Sequence, residues 1–178
     1  MESRGFALVE VLIAAALLAT ALVGLAQLLG LAAMNTSGAG SSSIAAGLAA
    51  AKMEQLRSLS WGVRLDVPVS DATTDTTRAV LSTGGTGLTP SASNTLLRNV
   101  SGYVDYLDPS GLPLGGGPDP PPGAAYLRRW FIEAVPDDPD NLLVIHVLVR
   151  RVRDSGADGS RRLPGEARLT TVRTRKTQ

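Results

Sequence analysis

Residues 5–34 read GFALVEVLIAAALLATALVGLAQLLGLAAM, and this stretch decides the fold. From position 6 to position 34, 24 of 29 residues are Ala, Val, Ile, Leu, Met or Phe. After Glu10 no charge appears as far as Met34, and Thr20 and Gln27 are the only strongly polar side chains there. About 20 apolar residues at a rise of about 1.5 Å cross a bilayer's hydrocarbon core, so this run is long enough to span with some tilt. A secretory signal has an apolar region of only about 7–15 residues, so cleavage and release fit poorly. Arg4 precedes the run and the polar stretch 35–43 (NTSGAGSSS) follows it. The positive-inside tendency therefore leaves residues 1–5 in the cytoplasm and exports the rest.

Beyond this segment the chain is ordinary. Its 178 residues are 44% hydrophobic and 19% charged, with 17 Lys+Arg against 16 Asp+Glu and a formal charge of +1. That balance excludes a chain that is polybasic or polyacidic throughout. The absence of cysteine excludes disulfides, thiolate metal sites, iron–sulfur clusters and a cysteine nucleophile. Length and composition suit one modest domain carrying an apolar appendage.

Glu10 is the anomaly in the apolar run. A carboxylate at the centre of a membrane helix costs about 2.5–3.5 kcal/mol on insertion scales, so such a residue is by default functional; near the headgroups the cost falls steeply and a solvated carboxylate is the plainer reading of the residue alone. The sequence around it, Gly5-Phe6-Ala7-Leu8-Val9-Glu10-Val11-Leu12-Ile13-Ala14, resembles the type IV prepilin signal. The resemblance implies cleavage between Gly5 and Phe6 by a prepilin peptidase, N-methylation of Phe6, and an assembly role for Glu10 as the fifth mature residue. A neighbouring subunit's Glu10 would neutralise the amine of Phe6, since opposite charges attract far more strongly in low dielectric than in water. Breaking such a buried pair costs about 3–5 kcal/mol.

The resemblance further implies a structural, non-enzymatic subunit without a cofactor, and a bacterial filament. Its partners would be the peptidase and other pilin or pseudopilin subunits. The implied location is the inner (cytoplasmic) membrane as a single-pass protein, then a pilus or a periplasmic pseudopilus. The chain has no proline before Pro68 and no cysteine to close a terminal loop, two departures from major pilins. The stretch Lys52-Met53-Glu54-Gln55-Leu56-Arg57, with an Arg128-Arg129-Trp130 strand, is similar to minor pilins that prime assembly. A minor pseudopilin of type II secretion has the same layout. An uncleaved, membrane-tethered binding module is the alternative from another class.

Residues 35–43 weaken a helix, glycine alone costing about 1 kcal/mol against alanine. Helical spacing then returns in Ile44, Leu48, Ala51, Gln55 and Leu59, with Leu56 alongside and Lys52, Glu54 and Arg57 facing elsewhere. We expect one helix over 6–59, roughly 80 Å long if continuous. Polar, unpatterned residues 66–95 read as a long loop, apart from a possible short strand at 78–82. Residues 109–123 hold six prolines and five glycines and read as a second loop. Strands are expected over 96–107, 126–135, 142–152 and 167–175, with 136–141 (PDDPDN) as a turn. The expected architecture is α+β: a long N-terminal helix, membrane-spanning in its first half, packed on a small four-stranded antiparallel sheet, as in pilins. The segments divide as 1–5 leader, 6–34 membrane and filament-core helix, 35–59 amphipathic continuation, and 60–178 exported domain.

Signals for chemistry are sparse. There is no phosphate-binding loop, no paired metal-protease histidines and no nucleophile elbow. The single histidine, His146, falls mid-strand and reads as a packing residue. Asp137, Asp138, Asp140 and Asn141 crowd oxygen ligands together, but they are also what a turn uses, and their spacing is not that of an EF-hand. We expect no metal site. From 150 to 178 nine basic residues face three acidic ones, a local +6. Such a stretch can meet the phosphates of a nucleic acid. No aromatic follows Phe131 to supply base stacking, and a solvated face is the plainer reading.

Overall fold

The computed structural model describes residues 3–64, 66–92, 95–154, 163 and 165–177. Among the described residues one α-helix, α1, runs Ser3–Ser58, and ten strands and a short 3-10 turn at Val152–Asp154 follow. They are β1 (Trp61–Arg64), β2 (Val67–Ser70), β3 (Thr74–Asp75), β4 (Ser82–Thr83), β5 (Val104–Leu107), β6 (Pro113–Gly116), β7 (Tyr126–Ala134), β8 (Leu142–Arg151), β9 (Ala167–Thr174) and β10 (Lys176–Thr177). The chain divides into two compact units, Met1–Gly40 and Ser41–Gln178.

In the first unit every side chain from 8 to 36 is exposed, so no protein packing holds this stretch. Its helix is carried by local bonding. Thr20 and Thr36 fold their hydroxyls back onto the carbonyls of Leu17 and Ala32, which keeps these polar groups satisfied without solvent. An apolar surface this continuous is unstable in water and marks a segment that meets lipid or protein.

In the second unit a five-stranded sheet of order β6-β5-β7-β8-β9, antiparallel throughout, is the main layer. Alternation along β7 and β8 puts Trp130, Ile132, Leu143, Ile145, Val147 and Val149 on one face. There they meet Ala45, Ala49, Met53, Leu56 and Leu59 of α1 in a single core. The opposite face has a smaller cluster, Val104, Tyr106 and Leu127. β10, β1 and β2 form a second sheet, and β3 pairs with β4.

Several expectations are corrected by these elements. The sheet has five strands rather than four, because the proline- and glycine-rich segment 109–123 contains β6. The segment 66–95 likewise carries β2, β3 and β4, whereas residues 78–81 are not a strand. The strand expected over 96–107 is only β5, since Gly102 (φ +84°) turns the chain just before it. Ser91 and Thr95 instead satisfy the backbone of Trp130 and Ile132, which lies past the end of β5.

The buried stripe of α1 is displaced by one residue from the expected one in its first turns. Ser41, Ala45, Ala49 and Met53 point inward, while Ile44 and Ala51 are exposed; Leu56 and Leu59 are buried and Leu48 packs on the core, as expected. One residue is about 100° on a helix, enough to bring Lys52 into the core. Small side chains at 45 and 49 let the helix settle close to the sheet, which a face led by Ile44 would not.

Candidate functional site

Gly5, Phe6 and Glu10 all lie on α1, with the Glu10 side chain exposed among Leu8, Val9, Val11 and Leu12. Glu10 is the sole acidic residue among the exposed side chains from 8 to 36. The exposed apolar run thus carries one carboxylate, close to its start. In a hydrocarbon surrounding such a charge is costly, most of all at the bilayer centre.

The densest polar constellation lies in the second unit and was not legible from the helical pattern. Lys52 and Asp105 are both wholly buried, with Nζ 3.0 Å from Oδ2. The Lys52 ammonium donates also to the Thr76 carbonyl at 2.6 Å and to Gln55 Oε1 at 3.1 Å. It lies 3.6 Å from the centroid of the Trp130 ring, a cation–π contact inside the core. Arg128 grips the same carboxylate with Nε and Nη2, each at 2.8 Å. β5 and β7 bring this about directly, since Asp105 and Arg128 are cross-strand partners on the helix-facing side.

Burial drives the Lys52 ammonium down to about 8 from its ordinary 10.5, with Asp105 pulling upward and Arg128 pushing further down. Two cations share one anion here, and every Lys52 proton has an acceptor. The cluster ties α1, the β3 loop and two strands together. It has no open face for a substrate, so its chemistry is that of a structural clamp. The available signal was Arg128 at the same inward parity as Trp130 and Ile132.

Part of the basic stretch is absorbed by the fold. Arg173 donates to the carbonyls of Leu56 and Leu59, at 3.1 and 2.5 Å, so it caps the C-terminal end of α1. A cation at that end also complements the helix dipole. Arg175 stacks at 3.8 Å on Trp61 and donates to the carbonyls of Asp140, Gly62 and Val69. Arg150 and Glu166 form a buried ion pair at 3.0 Å. Three of the nine basic residues are therefore structural; Arg161 and Arg162 lie outside the described residues.

His146 is half-buried on the face of the sheet away from α1, stacked on Phe131 with ring centroids 5.8 Å apart and 2.9 Å from the Thr170 hydroxyl. Burial lowers its pKa, with Arg168 adding to the effect and Glu133 opposing it. Asp138 accepts from the Asn141 side chain and closes the β7–β8 turn. Among the described residues no three His, Asp or Glu side chains are grouped closely enough to hold a metal ion.

Compared with protein families, characterised proteins and solved structures, the chain matches none of them. What can be said of its architecture therefore rests on the chain itself. It is an α+β protein whose long, apolar N-terminal helix, compatible with one membrane span, leads into an antiparallel sheet. This is the general layout of a membrane-anchored structural subunit.

Proposed function

We propose that the chain is a minor type IV pilin. Prepilin peptidase removes residues 1–5, the new amine of Phe6 is methylated, and residues 6–34 hold the subunit in the inner membrane before it joins or primes a filament. The observation that carries this reading is the fully exposed apolar run with Glu10 as its single charge. A simple anchor needs no such charge, and an uncompensated carboxylate costs up to about 2.5–3.5 kcal/mol at the centre of a membrane helix. A neighbour's Phe6 amine removes that cost, which makes Glu10 a registration device between subunits.

The clamp around Lys52 fits this reading, because a filament under load needs the helix and the sheet to move as one. The test is Gly5→Leu, expressed beside wild type in a host with an active prepilin peptidase. A side chain at the scissile position blocks cleavage, so the variant retains residues 1–5 and stays out of filaments. A product shortened like the wild type would refute the assignment.

A further inference from the structure

β8 ends where α1 begins to pack on the sheet. Ser41 lies against Gly165, where an added Cβ would come 3.0 Å from the Ser41 hydroxyl oxygen, and the next residue, Glu166, pairs with Arg150 at 3.0 Å. The turn 136–141 stands at the other end of the strand, about 30 Å away. The chain enters this unit at Ser41, seven residues after Met34 closes the apolar run, and seven residues reach at most about 25 Å fully extended. Side chains at this end of β8 therefore stay within reach of the boundary of any layer that receives the apolar run, whatever path the link takes.

An open cleft of about 490 Å³ sits at this end. Pro109, Ala124, Ala125 and Val152 give it apolar walls, and Arg151 and Arg153 are the charged residues that line it. The half-buried Arg151 has no ion-pair or hydrogen-bond partner for its guanidinium among the described residues. Arg153 is 72% exposed, and its Nε stands 3.8 Å from the Asp154 carboxylate, beyond hydrogen-bond range. Asp154 lies outside the lining, and counting it against the two arginines still leaves the site positive. Asp108, beside Pro109, is also outside the lining and accepts from the Ser110 amide and hydroxyl and the Leu112 amide. A guanidinium binds a phosphate by two parallel N–H···O bonds and is weakly hydrated, so it works well beside an apolar wall. Two such cations on apolar walls suit a phosphodiester that carries glycerol and acyl chains.

We propose that the cleft binds the headgroup of an anionic phospholipid in the membrane that holds the apolar run. This placement rests on the membrane anchorage of the proposed function. The phosphate oxygens take the guanidinium donors of Arg151 and Arg153, the glycerol lies on the apolar walls, and the contact draws this end of β8 to the bilayer surface.

The chain lacks cysteine, so full-length single-cysteine variants take one fluorophore each: Ser110→Cys beside the cleft and Asp137→Cys in the far turn. Both are placed in phosphatidylcholine nanodiscs with or without phosphatidylglycerol, and quenching by a trace of nitroxide-headgroup lipid reports docking. Phosphatidylglycerol should raise quenching at position 110 and not at 137. Each arginine near an anionic surface favours docking about fivefold, so Arg153→Gln should weaken the docking equilibrium about fivefold, and adding Arg151→Gln should abolish the rise. Equal quenching at 110 in neutral and anionic discs, or a rise that survives both substitutions, overturns the proposal and leaves an acidic protein segment as the occupant to test. A rise that inorganic phosphate removes at constant ionic strength overturns the lipid in favour of a free anion. Protein that enters discs of neither composition overturns the membrane anchorage, and the headgroup site with it. Should the double variant fail to fold, Arg153→Gln, on an exposed side chain, decides alone.

Discussion

Replacing Lys52 by methionine separates the two contributions of the buried clamp. Methionine keeps the aliphatic length and removes the ammonium. At pH 7 Asp105 keeps both contacts from Arg128, but the Thr76 carbonyl loses a buried donor. Stranding one buried acceptor costs about 1–3 kcal/mol, so Lys52→Met should destabilise the second unit by about 2 kcal/mol. The pH dependence is sharper. Lys52 titrates at about 8 when folded and near 10.5 when unfolded, so between these values the unfolded chain binds more protons. Stability therefore rises with pH across that window. At about 1.36 kcal/mol per unit, the wild type gains about 2–3 kcal/mol between pH 7 and 10, and the variant does not. Tyr103 and Tyr106, raised by burial, act in the opposite sense only above pH 10. Urea unfolding of full-length protein in mild detergent, followed by the fluorescence of Trp61 and Trp130, measures both effects. The gap between the two proteins should widen from about 2 kcal/mol at pH 7 to about 4–5 kcal/mol at pH 10. Parallel pH profiles, or a wild type that loses stability from 8 to 10, would refute the reasoning.

Other variants probe separate joints. Arg173→Met leaves the Leu56 and Leu59 carbonyls without their donor and should cost about 1–3 kcal/mol in the same urea assay. Gly85→Ala forces a methyl against the backbone of Asp75 and should cost about 1–3 kcal/mol; an unchanged midpoint would show that the hairpin yields freely. Glu10→Ala should leave membrane insertion intact and lower recovery in sheared filaments at least roughly tenfold, in proportion to a lost buried pair. Normal recovery would remove the pairing argument.

The parts legible in the sequence are those governed by strong periodicity. Val147 and its neighbours at 143, 145 and 149 alternate cleanly, so β8 and its inward face follow from pattern alone. β7 is as plain, and the uncharged run after Glu10 makes the first half of α1 unmistakable. What stayed hidden depends on long-range partners. Lys52 looks like a surface charge until Asp105, Arg128 and Trp130 arrive from two distant strands. Arg173 and Arg175 read as solvated basic residues for the same reason, since the carbonyls of Leu56, Leu59 and Gly62 lie more than a hundred positions away. β6 was masked by its prolines and glycines, which local rules assign to a loop. At the candidate site, the types and spacing of Gly5, Phe6 and Glu10 were the whole signal, because the chemistry proposed for them belongs to an assembly rather than to one folded subunit.

The central claim is that the chain is processed and assembled as a pilin-like subunit. The most direct measurement is the intact mass of the protein recovered from its host's membranes. The account predicts a chain that begins at Phe6 and carries one added methyl group. A chain still bearing residues 1–5, in cells with an active prepilin peptidase, would contradict it and leave a membrane-tethered binding module in its place.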